Sequence, residues 1–491
     1  MINEFAFIAG LYIAGLGINT FLCKQLPGWV GITTAFLIGC INWVIVSLLL
    51  WLITGRIIAW VAIIFITCEA IVLVIAAIKK IGMLQFSRRP FLFFVFYTVF
   101  FCGCAILFLN FNLTHATRDT LTYVMMGKSM EFSGISNLIW GPPSSIGYFT
   151  SVMQTPSRFL GVGYLQSILP MISTSFALFL FWAGVNCFRQ SLGKWKAVLL
   201  SILFVTFMYS SMIMQYMFSY IHSNCVSGIL LFASLFCYYS YHEDPTKKSW
   251  LALGSFFILG FCLLRVESTI FALLLLILIS KYLNLSFENC MHYLFPCVVF
   301  SLVTDISYLF LGLRFLSKSL LDVSDIFGLL VVALFTACYF VFYRSRLLDK
   351  YIKRNVHIIL SFLFTASLVI AFSTKFSEML TSLLANTSSI FVMGGWGSSW
   401  MMIILCLVFL WGKVKNSYFA FLQYFIPFNY FIILLLSYFH KPYLEKWSGS
   451  GNRLFAQLFF VCALYIFISL IHLFRENGTD QSKLSISELS E

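Results

Sequence analysis

Residues 28–54 read GWVGITTAFLIGCINWVIVSLLLWLIT, from Gly28 to Thr54, without one Asp, Glu, Lys or Arg. A helix needs about 20 mainly apolar residues to cross a ~30 Å hydrocarbon core, and this stretch has enough to do so with some tilt. Similar runs recur on both sides of it: 5–23, 57–78, 91–111, 163–187, 197–216, 223–241, 250–264, 268–283, 292–313, 324–343, 357–373, 399–412, 418–437 and 454–473, fifteen candidate spans in all. The two short ones, 250–264 and 268–283, also fit a re-entrant pair. Composition agrees. Of the 491 residues 61% are hydrophobic and 10% charged, against about 45–50% and about 25% in soluble domains. Such a chain cannot cover its surface with polar groups, and it has too much apolar area to stay disordered. The expected fold is all-α: a polytopic integral membrane helical bundle of about 13–15 transmembrane helices, with extracytoplasmic loops carrying short interfacial helices.

The formal net charge is +13, but the basic residues cluster between apolar runs, where lipid phosphates and the positive-inside rule place them. No basic stretch has stacking aromatics interleaved, which excludes nucleic acid as a partner. With the N-terminus outside, the inner connections carry 20 of the 31 Lys and Arg, the strongest cluster running from Arg344 to Arg354. The predicted topology is N-out and C-in, with outer loops at 112–162, 374–398 and 438–453. The first apolar segment, after Met1-Ile2-Asn3-Glu4, lacks a basic leader and is expected to be a retained helix. Residues 1–90 read as extra N-terminal helices, 91–475 as a core and 476–491 as a short polar cytoplasmic tail. The 14 cysteines are scattered, without a C-x-x-C pair, and read as small packing residues. No P-loop, Rossmann turn, HExxH or GxSxG context is present, which points away from ATP-driven pumps, nucleotide-sugar enzymes with a cytosolic domain and metalloproteases.

The first long outer loop carries most of the chemistry. It contains Arg118-Asp119-Thr120-Leu121-Thr122-Tyr123, then Gly127-Lys128 and Glu131-Phe132-Ser133-Gly134. A helical register from Asp119 puts Tyr123 one turn on, with Met126 and Met130 on the same side, as in a helix lying along the membrane interface. A solvated loop with an ordinary Asp is the alternative. Farther along, Leu264-Arg265-Val266-Glu267-Ser268 is a polar turn between two short spans; Arg265 and Glu267 are either functional or a local interfacial pair. Glu69 and Asp305 are intramembrane acids, costly unless partnered. Asp305 lies near the outer end, within reach of an acceptor site; Glu69 fits helix–helix hydrogen bonding. Arg314, Lys318, Lys441 and Arg453 are further outward cations. His115 and His222 are lone histidines and make no metal site. Gly394 to Ser399 and Trp447 to Gly451 are either flexible turns or loops whose Trp stacks on a sugar.

The stretch from Arg118 to Gly134 resembles the start of the first extracytoplasmic loop of the GT-C superfamily, multispanning glycosyltransferases that use polyprenyl-phosphate-linked sugars. Many bacterial members carry an Asp, a Tyr four residues on, then a short helix ending in Gly. Trp250 to Leu283 is similar to that family's helix pair interrupted by a polar turn, and the likeness covers about 91–285. It implies an inverting transfer from a polyprenyl-phosphate sugar to a glycan, lipid or protein acceptor at a bacterial inner (plasma) membrane, with the site facing the periplasm or exterior. Asp119 would act on the acceptor hydroxyl; Arg118, Tyr123, Glu131, Arg265, Glu267 and Asp305 would bind substrate, Arg265 nearest the leaving phosphate. Several members have two adjacent acids where this chain has Arg118-Asp119, so no cofactor is implied and a divalent metal stays open. Two other functions share these features: a surface-polysaccharide polymerase or ligase of the O-antigen type, and a lipid-linked-sugar flippase or secondary transporter.

Overall fold

The computed structural model describes residues 2–81, 88–110, 118–132, 148–219, 223–264, 266–303, 372–388, 394–414, 417–439 and 450–488, with isolated positions between 330 and 369 and at 391. Every regular element among the described residues is helical. In chain order these are α1 (Ile2–Leu22), α2 (Gly28–Thr54), α3 (Ala59–Ile81), α4 (Arg88–Asn110), α5 (Arg118–Phe132), α6 (Phe149–Met153), α7 (Ile168–Leu192), α8 (Lys194–Met208), α9 (Met212–Ser219), α10 (Ser223–Glu243), α11 (Ser249–Cys262), α12 (Val266–Tyr282), α13 (Phe287–Val303), α14 (Phe376–Ser388), α15 (Ser399–Leu410), α16 (Ser417–Phe439) and α17 (Ser450–Glu488).

Six described helices are long and apolar enough to cross a membrane: α1, α2, α4 from Phe91, α7, α10, and α17 between Leu454 and Glu476. On α3 and α4 large apolar side chains face outward, among them Phe65, Val72, Phe96, Val99 and Leu107. Such a surface is stable only against lipid, so the protein is membrane-embedded. The pair α8 and α9, where the sequence predicted one span over 197–216, is bent by 85° and forms either a broken span or a re-entrant loop. Serines cause the break. The Ser210 hydroxyl donates to the Phe207 carbonyl at 2.9 Å, and Ser211 Oγ accepts the Met214 N–H at 3.3 Å, capping α9 afresh. The short pair 250–264 and 268–283 appears as α11 and α12; at 14 and 17 residues, they span only about 21 and 26 Å. The outer loop expected over 374–398 contains α14. The last helix continues through the polar tail to Glu488.

The chain divides into two compact units, Met1–Phe176 with Phe218–Lys353, and Ala177–Met217 with Arg354–Glu491. In the first, α1 and α2 pack backbone to backbone. A Cβ on Gly15 would strike the Ala35 carbonyl, and one on Gly39 the Leu11 carbonyl, the small-residue contact that membrane helices use in place of a hydrophobic driving force. Asn19 Nδ2 donates across this pair to the Gly31 carbonyl at 2.7 Å. Glu69 on α3 accepts from Asn42 Nδ2 on α2 at 2.8 Å, the helix–helix bond expected of it. Tyr12, Phe36 and Phe101 interlock α1, α2 and α4. In the second unit α17 is central: Phe467 meets Phe188 and Phe204, and the Tyr465 hydroxyl donates to the Leu410 carbonyl at 3.3 Å.

Candidate functional site

The helix expected from Asp119 is α5. Tyr123, Met126 and Met130 are all buried on it, while Leu121 and Met125 are exposed. An outward apolar side suits an interfacial position better than a water-facing one. Arg118 and Asp119 occupy its first turn; their side chains lie outside the described residues. α5 is seated by a close approach. A Cβ on Gly127 would meet the Ser151 carbonyl oxygen, and the Gln154 Cβ at 3.0 Å. At its far end the Met130 carbonyl accepts the Ile57 N–H at 2.8 Å.

The partner of α5 is the segment 148–157, which holds α6 and a 3₁₀ turn at Thr155–Ser157. It is unusually polar for a buried stretch: Thr150, Ser151, Gln154, Thr155 and Ser157 are all nearly inaccessible. Gln154 fixes its fold, its amide pairing with both backbone groups of Leu165 at 3.1 and 2.8 Å. Trp43 Nε1 donates to the Val152 carbonyl at 3.1 Å. The hydroxyls of Thr150, Ser151 and Ser157 find no hydrogen-bond partner among the described residues.

Leu263, two residues before the second sequence-predicted cluster, meets the same segment. The Leu263 carbonyl, in the turn between α11 and α12, accepts the N–H groups of Tyr148 and Phe149 at 3.1 and 2.8 Å. That turn leads into Arg265 and Glu267. Arg265 lies outside the described residues, as does the Glu267 side chain; Glu267 holds the second position of α12. Tyr123 reaches a third element, its hydroxyl 3.4 Å from Ser223 Oγ at the start of α10. Ser167 N–H donates to Glu4 Oε1 at 3.1 Å, and Gln166 Nε2 to the Leu109 carbonyl at 3.4 Å. Thus the starts of α1, α7, α10 and α12 and the ends of α4 and α11 share one end of this unit. At the opposite end Gln25, between α1 and α2, exchanges hydrogen bonds with Ser249 at 3.4 Å.

No family model, curated protein or solved structure matches this chain. Glu131 is half-buried on the last turn of α5. Burial pushes its carboxyl above the usual range, opposed by the positive charges of Arg158 and Lys128. Its Oε2 has no hydrogen-bond partner among the described residues. Among the described residues no three His, Cys, Asp or Glu gather as a metal site.

Other candidates fall elsewhere. Trp396, offered as a sugar platform, is buried in the second unit, at right angles or nearly so to Trp400 at 5.7 Å and tilted against Phe459 at 5.2 Å; its burial leaves no face open to a sugar. Asp305, Arg314, Lys318, Lys441, Trp447, His115 and His222 lie outside the described residues, and so does the side chain of Arg453. The sequence did not single out Gln154, Glu4 or the hydroxyls of 150–157. Their one visible signal is the polar run Gln154-Thr155-Pro156-Ser157 within a loop that otherwise reads as a spacer.

Proposed function

We propose that the chain is a GT-C-like glycosyltransferase. It moves a sugar from a polyprenyl-phosphate donor to an acceptor hydroxyl on a glycan, lipid or protein, at the periplasmic face of a bacterial inner membrane. The observation that carries the proposal is the pair of hydrogen bonds that the Tyr148 and Phe149 N–H groups donate to the Leu263 carbonyl. Through segment 148–157 it ties the helix of Asp119 to the turn of Arg265, two stretches chosen for complementary halves of one reaction. In that reaction the acceptor oxygen bonds to the anomeric carbon as the bond from that carbon to the phosphate oxygen breaks. The proton passes to Asp119, and the electron pair leaves with the phosphate, whose growing charge Arg265 meets. Glu131, half-buried beside this segment and with its Oε2 lacking a partner among the described residues, supports the reading as an acceptor for a sugar hydroxyl.

The test is purified protein in nanodiscs, given a synthetic polyprenyl-phosphate sugar in one arm and the matching nucleotide sugar in the other. Turnover of the lipid-linked sugar is expected; turnover of the nucleotide sugar alone would remove the proposal. Arg265→Gln should lower transfer by roughly tenfold to a hundredfold, the worth of one charge-assisted hydrogen bond, with Arg265→Lys recovering part of it. Orientation has its own check. In a background cleared of native cysteines, a cysteine at position 131 should be labelled by an impermeant thiol reagent from outside, and one between 344 and 354 only from inside. The reverse pattern would put the site in the wrong compartment.

A further inference from the structure

Glu69 is the eleventh of the 23 residues of α3, and Asn42 the fifteenth of the 27 residues of α2. Their bond therefore lies near mid-depth in a ~30 Å hydrocarbon core, where a carboxyl group is costly unless its polar atoms are met. Asn42 Nδ2 meets one of them, Oε2, at 2.8 Å. Glu69 forms no second hydrogen bond and no ion pair among the described residues. Nor is it sealed inside the bundle. It is partly exposed, on the rim of α3 between the buried Ile66 and Ala70 on one side and the exposed Phe65 and Val72 on the other.

Beside it runs a stripe suited to another helix. Phe65, Cys68, Val72 and Ile75 recur at the three- and four-residue steps of a helix–helix seam, and all four are exposed. Glu69, next to Cys68 and one turn from Phe65, holds the position flanking that seam, from which paired helices match their charges. An apolar stripe alone gains little by leaving lipid, so it does not fix an occupant. The acid does, because what it lacks at this depth is a cation. The Lys and Arg of the six spans are Arg189 and Arg475, each in the last turn of its span. The described spans of a second copy therefore bring no cation to mid-membrane. We propose that this face of α3 docks a membrane-spanning helix of a different protein, one that carries a Lys or Arg at mid-span to meet Glu69. Docking here is independent of the reaction proposed above.

Two synthetic peptides test it, with the full chain in phosphatidylcholine vesicles. Each is a Leu/Ala helix of about 20 residues, long enough to span, with a diazirine-bearing leucine near its centre. One carries a single central Lys; its sister carries Leu there instead. The Lys peptide should label α3 between Phe65 and Ile75, and should do so roughly threefold to thirtyfold more strongly than the Leu peptide at equal mole fraction. That is the span of strengths found for polar contacts between membrane helices. Glu69→Gln keeps an acceptor for the Asn42 amide, so α3 stays seated while the charge is lost. It should cut Lys-peptide labelling by the same factor and leave Leu-peptide labelling as it was. Equal labelling by the two peptides, or Lys-peptide labelling that is unchanged in Glu69→Gln, would overturn the proposal. Oxidation that joins two copies through the exposed Cys68, and that the Lys peptide does not compete away, would assign the face to self-association and overturn it as well.

Discussion

Asp119→Asn is expected to lower transfer by about 10²–10⁴-fold, the usual worth of a positioned general base. Membrane insertion and expression should be kept. Asp119 sits in the first turn of α5, a helix outside the membrane spans, so no apolar span changes. A carboxylate there gains about 0.3–1 kcal/mol from the helix N-terminus, and Asn forfeits no more than that. The shape is almost unchanged and only the basic oxygen is lost. The defect should therefore lie in kcat, with KM for the lipid-linked sugar nearly as before. Steady-state assays on protein matched for monodispersity decide it. A parental kcat in Asp119→Asn would remove this residue from the chemistry, and with it the main support for the glycosyltransferase proposal.

The positions of α1, α2, α4 and α10 were legible because each holds a mainly apolar run long enough to cross a bilayer, and a run of that length in lipid has one outcome. The bend between α8 and α9 was not. Ser210 and Ser211 are ordinary guests in a membrane helix, and only their bonds to Phe207 and Met214 turn them into a break. The site divides the same way. Tyr123 was legible because helical spacing alone relates it to Asp119. The role of segment 148–157 was hidden, because it depends on Trp43, Leu165 and Leu263, which lie 109, 11 and about 115 residues away. Trp396 shows the opposite failure. A Trp beside glycines reads as a flexible turn or as a loop platform, and only its burial against Phe459 and Trp400 shows that it is a packing residue.

Gly127→Ala should be nearly as damaging to transfer as loss of the acid, although position 127 carries no functional group. In a helix taken alone, Ala is favoured over Gly by about 1 kcal/mol. Here the new Cβ points at the Ser151 carbonyl oxygen and at Gln154. Gln154 cannot yield, because both ends of its amide are committed to Leu165. The backbone of 148–157 must move, and it is tied through Tyr148 and Phe149 to Leu263. Relief of the clash therefore separates α5 from the α11–α12 turn by some fraction of an ångström up to about 1 Å. A misplacement of that order between reacting groups costs about 10²-fold. Gly103→Ala, on α4 where nothing lies within 4 Å, should leave transfer unchanged and so separates a local clash from a general effect of losing glycine. If the transfer rate of Gly127→Ala stays within about twofold of the parent, below the ~1.4 kcal/mol that a tenfold change represents, the seating of α5 on 148–157 does not set the distance across which the sugar moves.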